Sequence, residues 1–426
     1  MEKPFKKAVG ELAALPYMPD KGRIRTTEIA RALAALGGPQ LEYSRAQVIG
    51  TNGKGAAAFF LARLLSAHGL KTGLYTSPHL VSIRERIAFD GKLISEEDFA
   101  GLYFRLKPVF KKFRLTQFER LTVMAAGYFS QNKADFAVLE TGIGGGDDAV
   151  TALCAPLLIY TAISPEHEDI LGHGLRRIAA AKAAPLANCR FAFSAPQPRR
   201  GAADILRAAA KNSGAKLVFS RHPRRVRMTA RGTGFEYRGY NYQVPLFGKE
   251  CALNAALALD AARHILGARF HPGKARAALS GAVWPGRLQI IRLKNCNPLL
   301  VSCAHNAASL DADIAVIKTL LKKRIIPRDN LRVLFGVSGG RDSRAFLKKV
   351  SAVFKNVTVT KVPGSDCAFE KLRAAKGAEI IEDCREASRR IVGPRPAEKC
   401  FAVIIGSIYL AGAVLESAGV SVIHGR

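Results

Sequence analysis

Short apolar, β-rich runs alternate along the chain with stretches whose apolar positions recur at helical spacing. The runs 46–50, 70–76, 134–139 and 157–163 read as strands, and 56–68 and 115–132 read as helices. Such alternation predicts a mainly parallel sheet wrapped by helices. Between 216 and 246 the rhythm changes to short β segments at 217–220, 225–229, 235–237 and 242–245, parted by glycine-containing turns. That pattern predicts a small antiparallel meander, closed by a helix over 250–266. After Trp284-Pro-Gly-Arg287 the alternation resumes with a strand at 299–303, a helix at 309–324 and a strand at 331–337. It continues through 344–354, 357–362, 369–376, 379–382, 402–405 and 408–417. The expected architecture is α/β: an N-terminal unit over 1–286 with a P-loop-type, mainly parallel sheet flanked by helices, and a smaller Rossmann-like α/β unit over 287–426.

Composition narrows the class. Of 426 residues, 48% are apolar, enough to bury a core and exclude disorder. The formal charge of +31 favours anionic partners. From Leu288 onward lie 23 of the 65 basic and 12 of the 34 acidic residues, so the excess is spread evenly rather than gathered in a nucleic-acid-binding arm. The densest basic stretch, Arg221, Arg224, Arg225, Arg227 and Arg231, reads as a solvated hairpin edge protected by charge, with polyanion binding as the alternative. Eight cysteines form no CxxC pair, which favours scattered thiols in a reducing cytoplasm over disulfides or a zinc site. The N-terminus lacks the apolar core of a signal peptide, and the longest uncharged run, 400–415, falls short of the ~18 residues of a spanning helix. A cytoplasmic monomer without membrane or nucleic-acid partners is the resulting expectation.

Four segments carry candidate chemistry. Val48-Ile-Gly-Thr-Asn-Gly-Lys-Gly55 joins a predicted strand to a predicted helix. Gly50, Gly53 and Gly55 free backbone N–H groups to face an anion, Lys54 adds a point charge, and the helix start adds its partial positive end. The stretch departs from a strict Walker motif, with Val48 at the first glycine position and Gly55 after the lysine. Tyr75-Thr-Ser-Pro-His-Leu80, followed by Arg84-Glu-Arg-Ile87, puts Ser77 at a strand end, where α/β sheets present ligand contacts. An ST turn before Pro78 is the alternative role for that serine. In Asp135-Phe-Ala-Val-Leu-Glu-Thr-Gly-Ile-Gly-Gly-Gly146, with Asp148 beyond, Glu140 ends a buried strand beside a glycine turn, a fitting place for a Mg2+ ligand, with a loop-solvated glutamate as the alternative. Tyr160-Thr-Ala-Ile-Ser-Pro-Glu-His-Glu-Asp-Ile-Leu-Gly172 offers His167 as a further cation ligand, and Lys182 follows among alanines. Taken singly, a structural or surface histidine and a solvated lysine are the competing readings of these two residues.

In this order and spacing the four segments resemble the Mur ligase superfamily, specifically its folylpolyglutamate synthase and dihydrofolate synthase branch. Phe118-Glu-Arg-Leu-Thr122 resembles the branch's Phe-Glu-x-x-Thr, and Trp284-Pro-Gly-Arg-Leu-Gln289 its interdomain Gly-Arg element. Ala304-His-Asn306 is similar to the end of its Asp-Gly-Ala-His-Asn motif, and Gly406-Ser-Ile-Tyr-Leu410 to its terminal Gly-Ser element. The resemblance implies ATP-dependent joining of L-glutamate to dihydropteroate, to reduced folate or to both, through an acyl phosphate. It implies an ATP-binding unit over 1–286 and a glutamate ligase unit over 287–426, with ATP and Mg2+ as cofactors. Gly50, Thr51, Asn52, Gly53, Lys54 and Gly55 would hold phosphates, with Asn254, Arg287, Ser302 and His305 around the nucleotide; Ser77, Glu140 and His167 would serve Mg2+. Lys182 matches the lysine carbamylated in family members and joins Lys54 and His305 as a catalytic candidate. Arg86, Phe118 and Thr122 fall near the expected pteroate pocket.

Several family positions are altered. Ala56 replaces a hydroxyl residue, Gly146 a basic one, Glu166 an Asp, and Glu250-Cys251 a His-Gln pair. Ser302-Cys303 replaces Asp-Gly, and Gly339-Gly-Arg-Asp342 retains little of an Asp-Lys-Asp element. Loss of a hydrogen bond at Ala56 or Ser302 would cost on the order of 1–3 kcal/mol each, which an active ligase tolerates. A non-catalytic nucleotide- or polyanion-binding relative, or a Mur-type ligase with another acceptor, are the alternative readings.

Overall fold

The computed structural model describes residues 3–17, 26–292, 296–338, 342–363, 369–373, 377–392 and 400–420. Eight strands form the first sheet: β1 (Ser44–Ile49), β2 (Thr72–Tyr75), β3 (Ile87–Phe89), β4 (Lys92–Leu93), β5 (Phe136–Glu140), β6 (Leu157–Tyr160), β7 (Phe191–Ser194) and β8 (Lys216–Phe219). Their order is β4-β3-β2-β5-β1-β6-β7-β8, parallel except for the edge hairpin β3–β4. The pleat sorts side chains to two cores. On β5, Phe136 and Val138 enter the core beneath helices α1 (Lys54–Ala67) and α4 (Lys249–Leu266), whereas Ala137 and Leu139 enter the opposite one with α2 (Gln117–Gln131). Strands buried on both faces explain the near-continuous apolar runs in the sequence.

The sheet positions the site. Strand β1 lies next to β6, and the chain leaves β1 towards β2 on one side but leaves β6 towards β7 on the other, which opens a crevice at their carboxyl ends, the place where doubly wound sheets bind ligands. Helix α3 (Leu175–Ala183) follows β6.

Strands β9 (Arg224–Thr229), β10 (Gly232–Tyr237) and β11 (Tyr240–Val244) make the antiparallel meander, with basic β9 at its edge. The segment at 217–220, expected in this meander, instead extends the large sheet as β8, parallel to β7. Its alternation matches either partner, and the helix Arg200–Ser213 between β7 and β8 supplies the crossover that a parallel pairing needs.

A second, smaller α/β unit holds six strands: β12 (Arg287–Ile291), β13 (Leu299–Ser302), β14 (Leu331–Phe335), β15 (Val357–Val359), β16 (Glu379–Ile380) and β17 (Phe401–Ile405). Their order is β12-β13-β17-β14-β15-β16, with only β12 antiparallel. Phe401, Val403 and Ile405 of β17 face one core, Ala402 and Ile404 the other. Helices α5 (Ala307–Lys322) and α6 (Ile408–Ser417) follow β13 and β17. Leu80 and Val81, from the loop after β2, pack into the second unit's core. A Cβ at Gly412 of α6 would lie 1.9 Å from the Leu80 carbonyl oxygen, so only glycine admits this contact. Residues 339–341 of the altered Gly339-to-Asp342 stretch and 374–376 of the run at 369–376 lie outside the described residues. Among the described residues, no helix is long and apolar enough to cross a membrane.

Candidate active site

The loop at 50–53 leaves β1 and enters α1 with Gly53 in the left-handed region, at φ 88°. A Cβ at Gly50 would lie 2.0 Å from Thr161 Oγ1, and one at Gly53 would lie 2.4 Å from Asn254 Nδ2. Both positions therefore need glycine, and Asn254 is held directly over the loop. Thr51 anchors the loop to the end of β6: its Oγ1 donates to the Ser164 carbonyl (2.8 Å) and accepts the Ser164 N–H (3.1 Å). Lys54 Nζ folds back to donate to the Thr51 carbonyl (3.0 Å), a contact that an incoming phosphate can replace. Trp284, stacked on Phe59 with ring centroids 4.5 Å apart, closes the side next to Gly55.

Glu140, at the carboxyl end of β5, is 4% exposed and accepts the Ser77 N–H at 2.9 Å. Burial raises its pKa despite the opposing influence of Lys54, the Ser77 N–H, Arg287 and Arg86. Its environment thus has room for more positive charge. Among the described residues no three His, Cys, Asp or Glu side chains cluster as a metal cage. The donor set nonetheless fits Mg2+, which binds through one or two carboxylates together with nucleotide phosphates and waters. His167 starts the short helix Glu168–Leu171, half-exposed and with its pKa lowered mainly by burial. Its Nε2 lies 3.9 Å from Glu166 Oε1, and the structure brings Ser77 and Glu140 into direct contact without recording one from either to His167.

Lys182 on α3 is 3% exposed, not solvated, and donates to the Gly50 carbonyl at 2.7 Å. Burial and the neighbouring Lys54 charge pull its pKa down to about 7, against the opposing carboxylates of Glu166 and Asp148. The glycine run after β5 makes this approach possible. A Cβ at Gly145 would meet the Ala181 carbonyl oxygen at 2.5 Å, while Gly146 N–H donates to that same carbonyl at 3.1 Å. A Cβ at Gly146 would come 2.9 Å from Ala184 Cβ, which accounts for glycine where the family has a basic residue. Asp148 accepts N–H groups from Ile143 and Val150, both at 2.9 Å, and so shapes the same turn.

The second unit reaches the crevice through the loop after β13. His305 Nδ1 faces the Cys303 carbonyl at 3.0 Å and Nε2 faces Glu166 Oε1 at 3.1 Å. Asn306 Nδ2 donates to both Asn52 Oδ1 and Glu166 Oε1, each at 3.1 Å. Glu166 is thus an acceptor shared by two side chains of the second unit, with Asn52 accepting beside it. Burial disfavours its charge, but the His305 bond and the charges of Lys54, His305 and His167 outweigh that and hold its pKa at about 2. Arg287 opens β12 opposite Ser302, and its charge acts on Glu140. Ser302 is fully buried and bonds within the second unit, donating to Asp313 Oδ2 (2.5 Å) and accepting the Ala304 N–H (3.1 Å).

The remaining candidates gather beside β2. Buried Arg86 donates from Nε to His79 Nδ1 (2.9 Å) and lies over the Tyr17 ring, 5.5 Å from its centroid. Phe118 packs against Tyr17 and Tyr75, with centroids at 5.7 and 6.0 Å. Thr122 is buried one turn further along α2, donating to the Phe118 carbonyl (2.9 Å) and lying 3.1 Å from the Tyr75 hydroxyl. The loop leading to Arg86 is organised by Glu85, whose carboxylate accepts the N–H groups of Leu80, Val81 and Ser82 at 2.7–2.8 Å. Sequence reasoning missed Tyr17, His79 and Asp313. Glu85 falls within the segment 84–87 expected near the acceptor pocket, and its loop-organising role had a local signal, since it stands three residues after Ser82 as in a capping box.

No family model matches the sequence. The chain is 27% identical over 435 residues to folylpolyglutamate synthase from Lacticaseibacillus casei, covering 97% of this chain and 98% of that protein. Its fold matches the apo form of L. casei FPGS with a TM-score of 0.82 at 26% identity, over 97% of this chain and 99% of the other. A Mycobacterium tuberculosis folylpolyglutamate synthase complexed with ADP and AMPPCP gives a TM-score of 0.82 at 26% identity, over 98% of both chains. An FPGS–AMPPCP–folate complex aligns with a TM-score of 0.79 at 25% identity, over 97% of this chain and 99% of the other. Identity reaches 30% with the dihydrofolate synthase/folylpolyglutamate synthase of M. tuberculosis, over 91% of this chain and 88% of that protein. The chain belongs to the folylpolyglutamate synthase/dihydrofolate synthase family.

Proposed function

We propose that this protein uses ATP and Mg2+ to join L-glutamate to dihydropteroate, to a reduced folate, or to both. The observation that carries the reading is the convergence of three elements at the carboxyl end of β1: the Lys54 glycine loop, the buried Glu140 carboxylate, and the His305–Asn306 loop bonded to it through Asn52 and Glu166. Relatives spanning almost the whole chain bear the same activity in their names, and one neighbour was solved with an ATP analogue and folate.

The loop at 50–55 would hold the phosphates on its N–H groups and the start of α1, with Lys54 leaving the Thr51 carbonyl to meet the γ-phosphate. Bound Mg2+ would supply charge neutralisation on the transferring phosphoryl group, with Ser77, Glu140 and His167 as its protein partners. The acceptor carboxylate attacks the γ-phosphorus and ADP leaves; the glutamate amine then attacks the acyl phosphate and phosphate leaves. That intermediate has to be kept from water. Closure of the unit over 287–426 onto that over 1–286, guided by Glu166, His305 and Asn306, would provide the exclusion. Arg287, Ser302 and Asn254 would border the nucleotide. Arg86 and Phe118, on the wall with Tyr17, would border the acceptor, with Thr122 supporting Phe118 from behind. Lys182 is buried with its pKa near neutrality, conditions under which a free amine can add CO2; the resulting carbamate would be a further anionic partner for the cation.

Incubation with ATP, Mg2+ and L-glutamate, with dihydropteroate or tetrahydrofolate as acceptor, tests the reading by mass spectrometry. One added glutamyl residue on either acceptor is the expected product, and its absence on both refutes the proposal.

A further inference from the structure

The family resemblance calls for a carboxylate at the end of β13, where this chain has Ser302. A carboxylate is nevertheless present, delivered from α5. Leu310, Ile314 and Ile317 of that helix enter the core, and Asp313 lies on the same face, where helical periodicity asks for an apolar residue. Its Oδ2 accepts a hydrogen bond from the Ser302 hydroxyl at 2.5 Å. A serine hydroxyl has one proton. With that proton committed to Asp313, a lone pair is left to accept the Ala304 N–H at 3.1 Å. Ala304 immediately precedes His305, whose ring spans from the Cys303 carbonyl to Glu166. Asp313 therefore fixes the rotor that holds the base of the interdomain loop. Burial raises the Asp313 pKa to about 6, opposed by the Ser302 bond and by the charges of Arg287 and His305, both bordering the crevice.

We infer that Asp313 is a positioning residue of the nucleotide cleft, supplying through Ser302 the negative charge and loop anchorage that the family obtains from an aspartate on β13. The pair Ser302/Asp313 is a relocated carboxylate rather than a lost one. This inference rests on the proposed nucleotide-dependent reading of the site.

The test uses the full-length chain and the ATP analogue AMPPCP with Mg2+, titrated calorimetrically against wild type, Asp313→Asn, Ser302→Asp and the double variant Ser302→Asp/Asp313→Leu. Melting curves and steady-state kinetics accompany each titration. Asp313→Asn keeps the shape and removes the charge, and should weaken AMPPCP binding by about tenfold, as for one charge-assisted hydrogen bond, raising the KM for ATP more than it lowers kcat. Ser302→Asp alone puts two carboxylates in contact and should also weaken binding. The double variant restores a single carboxylate on β13 and should recover affinity to within about threefold of wild type, a rescue that independent sites would not give. Wild-type affinity in Asp313→Asn, or a double variant no better than the combined single losses, overturns the inference. A lowered melting temperature with unchanged affinity also overturns it, leaving Asp313 a purely structural residue. If wild type binds AMPPCP but forms no glutamyl product, the functional proposal fails while these affinities still decide the role of Asp313.

Discussion

Replacing Lys182 with methionine should abolish activity and, in the same protein, change the pH dependence of stability. Lys182 is 3% exposed, and burial with the Lys54 charge lowers its pKa from 10.5 to about 7. In the unfolded chain it keeps the ordinary value. Below pH 7 both states hold the proton, and the folded state carries the full penalty, about 5 kcal/mol at ~1.4 kcal/mol per pH unit. Between pH 7 and 10.5 the unfolded state binds more protons, so wild-type stability rises with pH and the penalty fades. Methionine has no such penalty. The stability of Lys182→Met relative to wild type should therefore fall by about 3–4 kcal/mol from pH 7 to pH 10. Urea denaturation followed by the fluorescence of Trp284, the single tryptophan, measures this in CO2-free buffer. At pH 7 roughly half the Lys182 amines are neutral, against roughly one in three thousand for an exposed lysine. Bicarbonate should accordingly stabilise and activate wild type and leave Lys182→Met unchanged. A pH-independent stability difference, or a fully active Lys182→Met, would refute the reasoning.

Three further perturbations separate the parts of the site. Gly53→Ala forces a side chain into φ 88° and against Asn254 Nδ2 at 2.4 Å; it should cost about 1–3 kcal/mol and reduce AMPPCP affinity more than about tenfold, read by denaturation and calorimetry. Glu166 has its pKa held at about 2, below the ordinary 4.5, so its contribution is complete above pH 4.5 and is lost as pH falls towards 2. Glu166→Gln should thus destabilise by about 2–3 kcal/mol at pH 7 and progressively less below pH 4, with denaturation curves at both pH values as the check. Gly412→Ala drives a Cβ to 1.9 Å from the Leu80 carbonyl oxygen, which backbone cannot yield. It should lower kcat/KM about tenfold or more by displacing the loop that carries Ser77, while circular dichroism stays that of wild type.

The βα alternation was legible because strands buried on both faces leave uninterrupted apolar runs, as Phe136 to Leu139 does on β5. Strand β8 was misassigned because Lys216–Phe219 has no sequence feature that distinguishes a parallel edge from a meander strand; its partner is fixed by the preceding helix. Strand β12 went unseen since Arg287–Ile291 directly continues the predicted boundary and pairs antiparallel, outside the alternation. At the site, the glycines and Lys54 are local in sequence and could be found by motif. Lys182 among alanines looks solvated, and its burial depends on the close approach of Gly145. Glu166 meets His305 across 139 positions of chain, and Asp313 meets Ser302 from the next helix. The first contact follows from how the loop after β13 faces β1, the second from how α5 packs against the end of β13, and no local pattern encodes either.

The central claim is that this crevice activates an acceptor carboxylate with ATP and passes it to glutamate. Its most direct test labels the reacting carboxylate of dihydropteroate or tetrahydrofolate with heavy oxygen and follows the label after turnover with ATP, Mg2+ and L-glutamate. An acyl phosphate transfers one labelled oxygen to each phosphate released, in step with glutamyl product. Phosphate that forms without label, or without need of the acceptor, would contradict the account.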